Sequence, residues 1–572
     1  MSGRARAMVT VAVLVGVVTI GLSQEVDDPQ EQAQPISGLA FRDEIELTVV
    51  NLIVSVTDKD GEPVTNLTAD DFEVYQDGEL KPISNFQIYT EDVFENYVER
   101  SPAVPPSAAP PPTEVSELEP RPVYLVMYVD QYNLNTLDRN RVLKQVETFV
   151  RENVKPPVQM MVVSRLQTPQ VDQDFTSDSA QVIEALRGMR KDSTNRAAVE
   201  RDRANLVQTM QSYENNPSNL NDPMHVRAQI KIFIQEETTS LQYSLGALRE
   251  IIAMLAGLEG KKAVLYVSNG LPMVPGIDLF YAYADAYRDD GALAEAVTFD
   301  QSRAFEALVA AANAQDVTFY TIDAGGLRAA GVATAEYTDS EDMRAAAIGR
   351  QNYLDSLRFM ADATGGLAII DTNDVRTRIG RVEQDLFTYY SIGYPLLQSG
   401  ADKVHDIKVQ LPGHPDYEVR YRRRMVEKSL ETRVQEKVVT GLRLPLDENP
   451  MQLDLTLGRS APAAEDRWTV PMRVSFPLRS IALIPEGDDF VGRVVLFVAA
   501  RDTKGGQSDV VRQEHVVRVP AADVDDVLDQ RFTLEASLLM KEGRHAVAVG
   551  VLDQMTRQSS YQTTRTAVPT SG

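Results

Sequence analysis

Cysteine is absent from the 572-residue chain, histidine occurs five times, and tryptophan once, as Trp468. Without cysteine there can be no disulfide framework, thiolate zinc site, iron–sulfur cluster or thiol nucleophile. Five scattered histidines leave little imidazole for catalysis or metal ligation. Cationic residues are also short, 57 Lys and Arg against 83 Asp and Glu, a net charge of −26. Nucleic acid is therefore an improbable partner, because phosphate contacts need a concentrated basic face. No P-loop, G-x-S-x-G elbow, H-E-x-x-H helix or dinucleotide fingerprint is found. Together these absences point away from enzymatic activity.

What is there is an ordinary globular balance, 43% apolar and 24% charged, in a length that suggests about three to four folding units. Arg4 and Arg6 precede an uncharged stretch from Ala7 to Gln24, whose apolar part runs from Met8 to Leu22. That is a secretory signal pattern, with Gly21 and Ser23 as the small residues for cleavage after Ser23. Residues 1–23 are thus expected to be a signal peptide and the mature chain to be exported, periplasmic or secreted. A retained N-terminal anchor is the alternative.

Residues 24–40 read as a polar tether. Residues 41–95 read as a small β module, with the strand-rich run Glu46–Val56 and turns at Asp58–Gly61 and Gln76–Gly78. Seven prolines among residues 101–120 mark 96–120 as a stiff linker. From Arg121 apolar strands alternate with amphipathic helices. Strands are expected at Val123–Val129, Gln159–Ser164, Ala263–Val267, Val317–Ile322, Leu367–Ile370 and Tyr389–Ile392. Helices are expected at Arg141–Val154, Ala180–Met189, 241–258, 301–314, 351–363 and 375–386. This rhythm predicts an α/β domain over 121–424, a Rossmann-like parallel sheet with helices on both faces. Residues 190–237 are polar and too long for an ordinary connection, and read as an inserted helical hairpin. Residues 425–572 read as a helix followed by a β-sandwich, from runs such as Trp468–Phe476, Val491–Ala500 and Arg544–Leu552.

Several segments, in this order and spacing, resemble the exported VWFA-related domain proteins of the acidobacterial type. They are Val54-Ser-Val-Thr-Asp-Lys-Asp-Gly-Glu-Pro-Val64, Asp70-Asp-Phe-Glu-Val-Tyr-Gln-Asp-Gly78, Phe319-Tyr-Thr-Ile-Asp-Ala324, Met360-Ala-Asp-Ala-Thr-Gly-Gly366, Tyr389-Tyr-Ser-Ile-Gly-Tyr394 and the hairpin His405–Arg424. The resemblance covers residues 41–424 and implies a von Willebrand factor A-type domain over 121–395. Such a domain usually binds Mg²⁺ or Mn²⁺ through an Asp-x-Ser-x-Ser loop, a threonine and a second aspartate. Here the loop reads Asp130-Gln-Tyr-Asn-Leu134. Tyr132 puts a phenol where a short hydroxyl is wanted, and Leu134 offers no oxygen. Thr238 or Thr239, just ahead of the 241–258 helix, would supply the threonine, and Asn269 stands in place of the second aspartate. The metal set implied is therefore Asp130, Thr239 and Asn269, a degenerate one, and hard cations bind weakly as anionic oxygens are lost.

The resulting expectation is a non-enzymatic protein-binding or scaffold protein of the envelope or exterior. No cofactor is expected, apart from Mg or Mn if the degenerate site still binds. The insertion 190–237 should rise beside the sheet edge and cover or replace the metal-dependent contact. A working metal-dependent adhesion domain is the first alternative. An envelope hydrolase using Asp130 and Asp323 is the second. Arg420–Arg424 is read as edge-strand charge rather than as an anion site. His405 and His414 lack a third ligand for zinc.

Overall fold

The computed structural model describes residues 47–94, 121–215, 222–327, 340–397, 402–444, 446, 448–463, 467–503 and 506–569. The expected signal peptide, tether and Pro-rich linker, and most of the turn expected at 215–219, lie outside these residues. The chain divides into two compact units, one spanning Thr48–Leu396 and Lys403–Glu427, the other holding Lys428 onward with Leu397–Asp402.

In the first unit the N-terminal hairpins give β1 (Leu47–Thr57), β2 (Glu73–Gln76), β3 (Glu79–Lys81) and β4 (Asn85–Tyr89). The α/β segment gives β5 (Val123–Val129), β6 (Val158–Arg165), β7 (Pro169–Thr176), β8 (Lys261–Ser268), β9 (Val317–Asp323) and β10 (Ala368–Ile369). Then come β11 (Tyr389–Leu397), β12 (Lys403–Gln410), β13 (Glu418–Tyr421) and β14 (Arg424–Glu427). Strands β5 to β10 form one six-stranded sheet in the order β10-β9-β8-β5-β6-β7. It is parallel except for β7, which runs antiparallel to β6 along one edge. Every residue of β8 is buried and β5 has one half-exposed position, as expected of strands covered on both faces. This sheet and its helices bear out the mixed α/β reading. β7 was not expected, because its sequence, Pro-Gln-Val-Asp-Gln-Asp-Phe-Thr, is polar and its side chains are largely exposed.

One strand of the expected parallel sheet lies elsewhere. β11 pairs antiparallel with β4, Tyr389 opposite Tyr89, and takes its place in the sheet β13-β1-β11-β4. A second sheet, β14-β12-β2-β3, supplies the other face. The N-terminal hairpins are thus half of a sandwich completed by the strands after the α/β segment, which answers their shortage of packing surface. Its core contains Leu52, Val54, Val74, Ile392, Tyr394, Ile407 and Val409. Phe72, Phe86 and Tyr390 pack ring to ring at 5.1–5.6 Å. The Tyr390 hydroxyl donates to the Val64 carbonyl at 2.9 Å and accepts from the Leu67 N–H at 3.1 Å.

The sandwich is fastened to the amino edge of the parallel sheet by buried charge. Lys261, at the start of β8, donates to the Asp385 carbonyl and lies 4.2 Å from the Tyr389 ring centre. The Asp385 carboxylate takes both arms of the Arg420 guanidinium, one at 2.7 Å. The basic run of β13 is thus partly internal, with Arg420 tied to Asp385. His405 lies between carboxylates, Nδ1 at 2.7 Å from Asp77 and Nε2 at 3.3 Å from Glu427.

The second unit holds a helix over Leu430–Gly441 and then β15 (Asp454–Leu457), β16 (Ala461–Pro462), β17 (Arg467–Pro477), β18 (Ile484–Glu486) and β19 (Asp489–Asp502). These are followed by β20 (Val511–Pro520), β21 (Arg531–Lys541), β22 (Gly543–Asp553) and β23 (Ser559–Val568). One sheet centres on β17 paired with β15, β16 and β21, the other on β19 paired with β18, β20 and β22. Among the described residues these ladders are antiparallel, and alternate residues such as Val470, Met472, Val494, Leu496, Val547 and Val549 share one core. Among the described residues no helix is long and apolar enough to cross a membrane.

Burial, helped by the nearby Arg420 cation and opposed by Asp385, lowers Lys261 to about 7. Between about pH 7 and 10.4 the unfolded lysine holds a proton that the folded one has released, so stability rises with pH across that window. Replacing Lys261 with Met should flatten this rise, as read from urea midpoints taken between pH 6.5 and 10.

Candidate functional site

Numbered within the six-stranded sheet, the order is 3-2-1-4-5-6, and its direction of winding reverses between β5 and β8. α/β sheets place ligands at the carboxyl ends of strands at such a reversal. Asp130 leaves the end of β5 there, and Asn269 leaves the end of β8. The Asp130 N–H donates to the Val267 carbonyl at 3.0 Å, and the Asn269 N–H to the Asn133 carbonyl at 3.3 Å.

Asp130 is fully buried, and a lone buried carboxylate is costly unless a cation and donors meet it. Arg165, which closes β6 and is itself 2% exposed, donates from Nη1 to Asp130 Oδ1 at 3.2 Å. Tyr266 Oη and Asn133 Nδ2 each donate to Oδ2 at 2.8 Å. Register explains the convergence: Tyr128 sits opposite Tyr266 and Val129 opposite Ser164, so Tyr266 and Arg165 flank the residue after Val129. Arg165 also donates from Nη2 to the Ser240 carbonyl at 3.3 Å and lies 5.2 Å from the Tyr132 ring centre, a cation–π position. The Tyr128 and Tyr266 hydroxyls are pushed well above the usual phenol range, first by burial and then by the Asp130 charge.

The expected ligand set does not assemble. Helix Pro223–Leu255 is unbroken, so Thr238 and Thr239 lie within it rather than in a loop before residue 241. Asp222 caps it, accepting from the Met224 N–H at 3.0 Å, and Pro223 opens it. Thr239 is exposed, and its hydroxyl donates back to the Gln235 carbonyl at 2.7 Å. Asn269 does reach the Asp130 loop, yet both its side-chain amide atoms are buried without a hydrogen-bond partner. Asp130 is the one anionic oxygen donor of the set, and both its oxygens accept from protein donors. Among the described residues no group of three His, Asp or Glu side chains could hold a metal ion. Two positive charges about 4 Å apart repel by roughly 4 kcal/mol at an effective dielectric of about 20, so a divalent ion beside Arg165 is disfavoured. These residues do not fit Mg²⁺ or Mn²⁺.

The segment 190–237 holds helix Arg196–Asn215 and the first part of helix Pro223–Leu255, which runs on past residue 237. Arg139, fully buried, clamps its start to the Asp130 loop. Nη1 donates to Gln131 Oε1 at 2.6 Å, and Nη2 donates to the carbonyls of Arg190 and Asp192 at 3.0 and 3.1 Å. Thr136 and Thr194 share a hydroxyl bond of 2.9 Å, and the Asn135 amide donates to Glu200 at 3.3 Å. Further out, Arg196 stacks 4.3 Å from the Tyr353 ring centre, and the Tyr353 hydroxyl donates to Glu237. Burial pushes the Glu237 carboxyl up, against the pull of that bond and of Arg196. Beneath these helices lies a core of Met210, Ile230, Ile234, Leu279, Phe280 and Tyr283.

Asp323, at the end of β9, accepts from the Gly325 N–H at 2.8 Å and lies 3.7 Å from Arg350. Since β8 separates β9 from β5, the two strand ends are roughly 10 Å apart at strand spacing. Asp130 and Asp323 therefore answer to different arginines. The residues that sequence reasoning missed are Arg165 and Tyr266. Arg165 left one signal, as the single charge closing the apolar run Val158–Arg165; Tyr266 left none within Lys261–Ser268.

No protein-family model matches the chain, and no curated protein matches it. Solved structures with partial likeness include the vWF domain of the type V pili tip protein Mfa5 from Porphyromonas gingivalis, at 24% identity and TM-score 0.12 over 12% of this chain. The chain spans only 27% of that protein. BatB from Bacteroides thetaiotaomicron is similar at 10% identity and TM-score 0.23, over 46% of this chain and 98% of its own. The pilus adhesin SpaC from Lactobacillus rhamnosus GG is similar at 8% identity and TM-score 0.27, over 80% of this chain and 53% of its own. Likeness of this degree carries neither a function nor a mechanism to this chain.

Replacing Tyr266 with Phe removes one donor to a buried carboxylate. It should cost about 2 kcal/mol, read as a lowered urea midpoint of the first unit with an unchanged circular-dichroism spectrum.

Proposed function

We propose that this is an exported, non-enzymatic recognition or scaffold protein, built on a von Willebrand A-type domain that works without a metal ion. The observation that carries the reading is the closure of the sheet edge. Asp130, the residue that would anchor a cation, is buried, neutralised by Arg165 and covered by a loop clamped to an insertion. The non-enzymatic reading is supported by the separate partners of the two strand-end carboxylates, Arg165 for Asp130 and Arg350 for Asp323. The N-terminal Arg4, Arg6 and Met8–Leu22 pattern supports export.

Recognition then passes to the insertion. On helix Pro223–Leu255, Met224, Ile232 and Tyr243 are 79%, 62% and 56% exposed. At 100° per residue they lie within about 100° of arc, on a face turned away from the core. Exposed apolar side chains gathered on one face are what a protein partner buries.

The test is capture from an envelope fraction by the full chain, with and without EDTA. Capture should be the same in both, and Ile232→Lys with Tyr243→Ser should lower it about tenfold while the melting curve is unchanged. Capture abolished by EDTA would return the function to a metal-dependent adhesion site. Calorimetric titration with millimolar Mg²⁺ or Mn²⁺ should be silent.

A further inference from the structure

We infer that helix Pro223–Leu255 pairs with the same helix of a second copy of this chain, antiparallel, about a two-fold axis midway between Glu237 and Thr238. The inference rests on the reading of that helix's exposed face as a contact surface, and it names the partner.

At about 100° per residue, His225, Ile232, Glu236, Thr239, Tyr243 and Glu250 fall within about 60° of arc, and all six are exposed. They make one line along the helix, roughly 38 Å long. Beside the line, Lys231 is held by Glu295 at 2.6 Å and Gln242 by Gln301 at 3.0 Å. On the line, His225 and Thr239 turn to their own helix, at Gln229 and the Gln235 carbonyl, and leave its outer surface clear.

This line is its own complement, as a two-fold contact requires. About the stated axis Ile232 meets Tyr243 of the second copy, and Tyr243 meets Ile232 of the second copy, so one apolar pair forms twice. His225 meets Glu250 of the second copy, a ring donor against a carboxylate, and this pair also forms twice. On one flank Ala228 comes beside Gly246 of the second copy. Glycine is a costly choice inside a helix, and a Cβ at Gly246 would meet open space, so packing within the described residues does not call for it. A second helix does, because small side chains near both ends of the contact let two axes approach to about 8 Å. A foreign helix would need none of this two-way match. The face is roughly 38 Å by 10 Å, at the small end for stable association, and the two Glu236 carboxylates come near each other beside the axis, a like-charge contact that opposes pairing. The dimer is therefore reversible, forming at micromolar concentration.

The experiment is sedimentation equilibrium of the purified full chain between roughly 1 and 200 µM, where monomer should convert to dimer. Ile232→Glu and Tyr243→Lys should each weaken the dimer about tenfold with the melting curve unchanged. Both changes in one chain should restore it, since each new charge then faces its opposite. Register is tested by cross-linking, because the natural chain has no cysteine. A short bismaleimide should link Ile232→Cys with Tyr243→Cys into dimers and should link neither single variant, since within one helix these positions are about 16 Å apart. A chain monomeric throughout, a dimer indifferent to the charge changes, or single variants linked as readily as the pair overturns the inference. If the chain is monomeric while Ile232→Lys with Tyr243→Ser still loses capture from the envelope fraction, the face serves a different protein and only the second-copy assignment falls. If the dimer behaves as stated while capture ignores those changes, it is the recognition reading that falls.

Discussion

A carboxylate with no access to water sits at the centre of the parallel sheet's carboxyl edge, and it must be neutralised. The pair between Asp130 and Arg165 meets that need. Around it the loop after β5, the end of β6, the end of β8 and the middle of helix Pro223–Leu255 converge through Tyr266, Asn133 and the Ser240 carbonyl. The arrangement is paid for in unsatisfied polar atoms nearby, at Tyr128, Ser240 and Asn269. Buried charge pairs add little net stability over apolar packing, but they fix geometry, since any displacement leaves a charge exposed to low dielectric. The clamp of Arg139 onto the insertion builds on a loop held in that way.

The opposite edge repeats the principle with a different purpose. Lys261, Asp385 and Arg420 bring together the first residue of β8, the last turn of helix Val375–Phe387 and a strand of the sandwich. Stacking of Tyr89 on Tyr389 at 4.9 Å covers the charges with aromatic surface. One charged cluster thus fixes the carboxyl edge of the parallel sheet, and the other joins two layers of one unit.

Much of the α/β architecture was legible because strands buried on both faces leave unbroken apolar runs, as in Val123–Val129 and Ala263–Val267. β7 was not, being a polar edge strand. The run Tyr389–Ile392 announces a strand but not its sheet, since an apolar run names no neighbour. The long helix was read as beginning at 241 because Gln235 to Ser240 is a polar stretch. It lies between Ile234 and Leu241, which continue the buried stripe across it. Asp130 and Asn269 could be picked out by position, and Thr239 could not be rejected until that helix was seen whole. Arg165 escaped notice because its partner lies 35 residues away, across a helix and on a neighbouring strand.

The sandwich of the first unit has a bearing on biogenesis. Gln76 meets His405 across 329 residues of sequence, and Tyr390 holds Val64 and Leu67 across more than 320. At about 5–20 residues per second, the N-terminal strands wait of the order of 15 to 65 s after synthesis for their partners to be made. During that interval they present open edges, rich in Val, Ile and Leu, to whatever is near. The delay keeps this sandwich from closing until most of the unit has been made. Its first strands cannot lock into a finished sheet before the rest of the unit arrives, and no disulfide can trap them early.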